Sequence, residues 1–171
     1  MTRVELSIRP ARLAEAGVVA AMSRDLIEYG LRWTWTPERV AACVRDRNTH
    51  VIVACVGGRI DGFAIMRYGD DEARLDLLGV ADHRRRRGVG RALVAWLETC
   101  ALVAGITTIR LEVRAVNAGA RAFYRSLGYR DVQYLDGYYQ GREAAIRMRR
   151  PIGYRHLPLP PGAADWVRKA D

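Results

Sequence analysis

Val80-Ala81-Asp82-His83-Arg84-Arg85-Arg86-Arg87-Gly88-Val89-Gly90-Arg91 is the stretch on which the reading of this chain turns. It lies between a β-rich run, Ala73 to Ala81, and an apolar run at helical spacing that carries Val89, Leu93, Trp96, Leu97, Cys100 and Ala104. Anion binding is the chemistry this junction suits. Gly88 and Gly90 lack side chains, so backbone can approach a ligand closely. The free N–H groups at a helix start, at the positive end of its dipole, match a pyrophosphate. Arginines add charge-assisted hydrogen bonds to phosphate oxygens. Three other readings compete: a dinucleotide loop, a nucleic-acid patch, and an ordinary helix start with a solvated charge run. The dinucleotide fingerprint fails at Leu93, where its third glycine should stand, and no lysine follows to make a nucleotide P-loop.

Working outward, alternation from Val4 to Arg9 predicts a first strand closed by Pro10, and Leu13, Val18, Met22, Leu26 and Ile27 predict a helix. Tyr29 to Pro37 reads as an aromatic loop, with Thr36 as N-cap and Pro37 opening a short helix to about Arg47. His50 to Val56 and Ile60 to Tyr68 are strands joined by Gly57-Gly58-Arg59, a hairpin signal that makes them antiparallel. Beyond the basic loop, Gly105 ends the apolar helix. Thr107 to Arg114 reads as a strand and Asn117 to Leu127 as a helix stopped by Gly128. Tyr129 to Leu135 and Ala144 to Arg149 read as closing strands. The pattern is α/β. Residues 1–150 form one expected domain, and 151–171, with four of the six prolines, form an expected tail.

Composition narrows the class. A chain of 171 residues, 50% hydrophobic, is enough for one buried core. No stretch approaches the roughly 20 apolar residues that span a bilayer, and the start MTRVELSIRP lacks the apolar core of a signal peptide. The expectation is a soluble, cytoplasmic protein with no membrane partner. Cys43, Cys55 and Cys100 make no C-x-x-C pair and have no spaced histidine, so neither a disulfide framework nor a metal is indicated. The formal charge of +9 attracts polyanions, whether nucleic acid or a phosphate-bearing cofactor. Lys169 is the single lysine among 28 basic residues, a skew that coding bias explains as well as selection does.

A second constellation lies downstream: Leu111-Glu112-Val113-Arg114-Ala115-Val116-Asn117-Ala118-Gly119-Ala120-Arg121-Ala122-Phe123-Tyr124-Arg125-Ser126-Leu127-Gly128-Tyr129. The first stretch resembles the pyrophosphate signature R/Q-x-x-G-x-G/A of the GCN5-related N-acetyltransferase (GNAT) superfamily, with Arg85, Gly88 and Gly90 in place. The second resembles its partner N-x-x-A-x-x-x-Y-x-x-x-G-F/Y, with Asn117, Ala120, Tyr124, Gly128 and Tyr129 all present. Both occur in the right order over roughly Leu75 to Arg130. Asp82 departs from the pattern, since many members carry proline there. The downstream half also resembles the ribosomal-protein N-terminal alanine acetyltransferases, whereas the upstream half does not.

The resemblance implies the GNAT fold, a splayed, mostly antiparallel mixed sheet flanked by helices, whose parted strands admit the pantetheine arm of acetyl-CoA. It implies that backbone at Leu78 and Val80 bonds the arm. It implies that Arg85, Arg86, Arg87, Gly88, Val89, Gly90 and Arg91 hold the pyrophosphate, and that Asn117 and Tyr124 complete the coenzyme site. Acyl transfer needs a neutral amine, an oxyanion stabiliser and a proton for the departing thiolate. Tyr124 occupies the superfamily's general-acid position; its competing reading is a core aromatic beside Phe123. Glu112, twelve residues earlier, matches the base of the ribosomal-protein enzymes, against a salt bridge to Arg110 or Arg114 on the same strand face. Asp76 is an alternative carboxylate, and a water relay another route. Tyr138 and Tyr139 in Gly137-Tyr138-Tyr139-Gln140-Gly141 resemble the peptide-groove tyrosines of those enzymes. Tyr29, Trp33 and Trp35 lie in the loop that borders the acceptor site in such folds, against simple packing onto the sheet.

The expected activity is transfer of acetyl from acetyl-CoA to an amine, with a protein N-terminal α-amine ahead of small-molecule amines and lysine side chains. A basic nucleic-acid module is the out-of-class alternative. It should interleave stacking aromatics with its basic residues, and Arg84 to Arg87 have no aromatic neighbour. Many superfamily members form homodimers, but no self-complementary surface is evident in the sequence.

Overall fold

Hydrogen bonding of seven strands into one sheet organises the protein, and the computed structural model describes residues 5–153. The strands are β1 (Leu6–Pro10), β2 (Thr49–Val56), β3 (Arg59–Tyr68), β4 (Glu72–Val80), β5 (Thr108–Arg114), β6 (Arg130–Tyr139) and β7 (Glu143–Pro151). Their order is β1-β2-β3-β4-β5-β7-β6, and β4 with β5 is the parallel pair in an otherwise antiparallel sheet. The helices are α1 (Ala16–Leu26), α2 (Pro37–Arg45), α3 (Val89–Val103) and α4 (Ala118–Ser126). Thr36 caps α2 by accepting from the Arg39 N–H, and Pro37 opens it, where a missing N–H costs nothing.

Alternation along the central strands divides the core between two layers. Ile52, Ala54, Ala64 and Met66 face α3 and α4, where Leu93, Leu97, Tyr124 and Tyr129 are buried against them. Val51, Val53, Phe63 and Ile65 face α1 and α2, against Val19, Ala20 and Val40. β4 changes sides within its length. Ile65 pairs with Leu77 but Met66 pairs with Leu75, so Asp76 is an extra residue in a bulge. Ala73 and Leu75 therefore point to the α3 layer while Leu77 points to the α1 layer.

The parallel pair is short. β4 and β5 share register from Glu72 with Thr108 to Leu75 with Leu111 and then part, although both strands continue. At the other edge the closing strands outrun the sequence expectation. β6 extends to Tyr139 through an irregularity after Leu135, because Gly137, Gln140 and Gly141 take positive φ and turn the chain tightly. β7 includes Pro151 opposite Thr108, and Ile152 is buried and donates its N–H to Thr107 at 2.9 Å. The expected tail thus begins inside the sheet; its residues 154–171 lie outside the described residues.

Candidate active site

Beyond Leu75 and Leu111 the facing edges of β4 and β5 have no strand between them, and a cavity of about 290 Å³ opens there. Its floor and walls come from distant segments: Leu75 to Leu78 of β4, Glu112 to Arg114 of β5, Asn117, Ala120 and Tyr124 around α4, the loop Ile27 to Trp35, and Tyr138 to Gln140. No helix among the described residues is long and apolar enough to cross a membrane, and they contain no cluster of metal-ligating side chains.

At one end of the parted strands stands the start of α3. Gly88 is its N-cap at φ +81°, a conformation that favours glycine, and a Cβ there would meet open space. Gly90 is constrained differently: a Cβ would sit 3.2 Å from the Phe123 ring. No side chain caps α3 and no acid lies in its first turn. The first intrahelical bond runs from Ala92 to Gly88, so the N–H groups of Val89, Gly90 and Arg91 are left for an anion. Val89 itself is buried, leaving only its backbone to such a role.

The arginine run divides. Arg84 turns inward to Asp61 at 2.8 Å, an aspartate whose side chain is 1% exposed and which also holds Arg59 at 2.8 Å and His83 at 3.2 Å. Burial pushes that carboxyl up, but donation from Arg84 and Arg59 outweighs it and holds Asp61 below the usual carboxylate range. Arg85 pairs loosely with Asp82 at 3.1 Å and points its Nε at the Val80 carbonyl at 3.4 Å. Arg86, Arg87 and Arg91 are exposed and have no ion pair among the described residues.

Tyr124 is buried on α4 yet lines the cavity, edge-on to Phe123 at 5.1 Å and to Tyr129 at 5.7 Å. Its hydroxyl has no hydrogen-bond partner among the described residues and is not sealed from the cavity. Burial, with Tyr139 nearby, pushes its pKa above the ordinary phenol value, so the group keeps its proton. Asn117 caps α4, its Oδ1 accepting from Ala120 N–H at 3.0 Å, which fixes the turn that delivers Tyr124.

Glu112 has a side chain only 3% exposed and is the hub of three guanidiniums: Arg147 and Arg110 at 2.8 Å and Arg74 at 3.0 Å. Arg114, the other partner the strand pattern offered, instead turns away to Glu143 at 2.5 Å and to the carbonyl of Tyr29 at 2.8 Å. Asp76 is equally engaged, with Arg67 at 2.7 Å and Arg74 at 3.2 Å. The carboxylate that lines the cavity without a guanidinium among the described residues is Glu28, which sequence reading passed over. It is buried and accepts from Thr34 N–H at 2.7 Å, Thr34 Oγ1 at 2.6 Å, Trp35 N–H at 3.2 Å and Ser23 at 3.3 Å.

Tyr29, Trp35, Tyr138 and Tyr139 all line the cavity. Tyr139 donates to the Glu112 carbonyl at 3.2 Å, and Tyr138 accepts from Arg74 at 2.6 Å. Tyr29 lies under Arg114 at 4.4 Å, and Trp35 is largely packed, with Arg39 stacked 3.7 Å over its ring. Trp33 stands apart. It lines a neighbouring open groove with Arg32, Thr34, Thr36, Gln140 and Arg142. Gln140 bridges the two spaces: its side-chain amide accepts from the Arg32 N–H at 2.9 Å and donates to the Arg32 carbonyl at 2.8 Å. Leu78 lines the cavity and Val80 lies beyond it on β4, both half-buried against the α3 layer.

A sheet parted over a buried phenol, with an uncapped helix start at its mouth, defines an acyl-transferase architecture, and the chain belongs to the acetyltransferase (GNAT) family, whose model matches residues 19–129. The chain is 42% identical over 98 residues to ribosomal protein bS18-alanine N-acetyltransferase of Escherichia coli (strain K12), an alignment covering 56% of this chain and 66% of that relative. The crystal structure of the ribosomal-protein-S18-alanine N-acetyltransferase from Escherichia coli superposes with a TM-score of 0.76 at 29% identity, covering 87% of this chain and 95% of that one. Ard1 from Thermoplasma volcanium gives a TM-score of 0.77 at 27% identity, over 86% and 98% of the two chains.

Proposed function

We propose that this protein transfers an acetyl group from acetyl-CoA to an amine, and that the acceptor is the α-amine of a peptide. The observation that carries the reading is the gap between β4 and β5, with the free N–H groups of α3 beside Val80 at the end of β4 and Tyr124 lining the cavity. Acetyl-CoA supplies the acyl thioester. The free edge of β4 at Leu78 and Val80 binds an extended arm through backbone groups, as one strand binds another. The N–H groups from Gly88 to Arg91 and the side chains of Arg85, Arg86, Arg87 and Arg91 bind the pyrophosphate. Asn117 orients α4, and Tyr124 gives its proton to the leaving sulfur.

Glu112 takes the proton of the incoming amine, opening one of its three ion pairs to do so. A second reading has its own observation. Glu28 meets the cavity with no guanidinium among the described residues, and a buried carboxylate so placed suits an ammonium ion. Tyr29, Trp35, Tyr138 and Tyr139 flank the acceptor, with Trp33 farther out. The names of the relatives favour a peptide terminus over other amines.

The test is release of coenzyme thiol with acetyl-CoA and three acceptor sets: peptides with free N-termini, polyamines and aminoglycosides. Turnover is expected with peptides. Turnover confined to the other sets would move the acceptor, and none with any set would overturn the activity.

A further inference from the structure

The groove beside the cavity carries a charge pattern that the reaction does not use. It is lined by Arg32, Trp33, Thr34, Thr36, Gln140 and Arg142, two cations and no acid. Neither guanidinium has an ion pair among the described residues, and both residues are exposed. The nearest acid in sequence, Glu143, is engaged with Arg114. The Trp33 indole N–H on the same wall is buried without an acceptor among the described residues. Thr34 and Gln140 belong to both spaces, so the groove continues the cavity past the Gln140 bridge.

The two spaces differ in their acids. The cavity sets three acids, Glu28, Asp76 and Glu112, among its arginines, and Glu28 has no guanidinium on it among the described residues, whereas the groove is lined by two guanidiniums and no acid. An extended peptide advances at most about 3.3–3.6 Å per residue, and the groove adjoins the cavity through Thr34 and Gln140, so the residues that follow an amine held in the cavity are the ones that reach the groove. We infer that the groove is an acceptor subsite for a carboxylate side chain, and that the preferred acceptor is a peptide whose second or third residue is Asp or Glu. This rests on the peptide reading above. The guanidiniums of Arg32 and Arg142 grip the carboxylate as a charge-assisted pair.

The backbone of this wall survives a change of side chain. Arg32 is held through its own N–H and carbonyl, and Arg142 through its N–H to the Tyr139 carbonyl at 3.0 Å. Charge reversal at both positions together therefore reverses the groove's sign without removing those bonds.

The experiment compares otherwise identical peptides that begin Ala-Asp, Ala-Ala and Ala-Lys, with the same three side chains also placed at the third residue. Wild-type kcat/KM is expected to favour the acidic peptide over the neutral one by on the order of tenfold at low salt, mainly through KM. The preference should shrink toward unity at high salt, because exposed charges are screened. Arg32→Glu with Arg142→Glu should invert the ranking so that the lysine peptide leads. Equal rates for the three peptides, or a lysine preference in the wild type, would overturn the subsite while leaving peptide acetylation standing. No turnover of any peptide, with acetyl-CoA still raising the melting temperature, would remove the peptide reading and this inference together. The wild-type series decides the matter even if the double variant fails to fold.

Discussion

Leu75 and Leu111 form the last rung shared by β4 and β5, and the next residue on each strand, Asp76 and Glu112, is a carboxylate tied to the same Arg74. The guanidinium thus sits where the strands diverge, bridging two acids that main-chain bonds no longer hold together. The opening of the sheet and the electrostatics of the cavity share one residue.

Replacing Tyr124 with Phe keeps the ring and its edge contacts but removes the proton. Coenzyme binding, read as the rise in melting temperature with acetyl-CoA, should persist. Turnover should fall by roughly 10²- to 10⁴-fold, the usual contribution of a positioned acid. Because the phenol titrates above its ordinary value of about 10, wild-type kcat should show no alkaline limb from this group below that pH. Normal turnover in the Phe variant would remove its chemical role.

Glu112→Gln and Glu28→Gln separate the two carboxylates. Loss of Glu112 leaves Arg74, Arg110 and Arg147 facing one another, and should cost about 1–3 kcal/mol of stability whatever the chemistry. If Glu112 is the base, turnover also falls by roughly 10²- to 10⁴-fold while the acetyl-CoA effect on the melting temperature persists. If Glu28 holds the ammonium, its Gln variant should raise the acceptor KM and leave the acetyl-CoA KM alone. Peptide initial-rate series make both comparisons.

Gly88→Val forces a β-branched side chain into φ +81° at the start of α3. The expected result is a lost or greatly reduced acetyl-CoA effect on the melting temperature. Gly90→Ala should be milder, since the new methyl must displace only the Phe123 ring edge. An unchanged shift in Gly88→Val would detach the pyrophosphate from this helix.

Asp61→Asn tests the anchor beneath the arginine loop. The wild-type carboxyl is held below its ordinary range in the folded state, so it contributes stability above the unfolded pKa of about 3.9. That contribution is lost as pH falls through the folded value. The difference in melting temperature between wild type and variant should therefore be large near neutrality and vanish in acid, with about 1–3 kcal/mol at stake. A difference independent of pH would assign the effect to packing.

Much of this architecture is legible in the residues themselves. Thr36-Pro37 marks the start of α2, Gly57-Gly58 the hairpin, and Gly88 with Gly90 the helix start, because each is local chemistry acting over a few positions. What escaped reading is long in sequence and made by long polar side chains, arginine above all. Arg84 reaches Asp61 across 23 positions, Arg74 reaches Glu112 across 38, and Gln140 reaches Arg32 across 108. A flexible guanidinium can meet any acid that the fold brings near, so spacing carries no signal. The same ambiguity made Arg114 look like a partner of Glu112 when its ion pair is with Glu143, two residues along β7 from the Ala145 that faces it. Glu28 went unnoticed because nothing in Leu26-Ile27-Glu28-Tyr29 distinguishes a buried acid from a solvated one.

The bulge at Asp76 makes β4 a strand of two parities. Up to Leu75 its odd-numbered residues belong to the α3 layer, and from Leu77 onward that layer takes the even ones, Leu78 and Val80. One supernumerary residue thus lets a single strand close the core upstream and present its other phase along the gap downstream. Numerical correspondence across this point does not preserve orientation. A homologous strand lacking the extra residue would aim its counterpart of Leu78 at the opposite layer, however similar the two sequences look on either side.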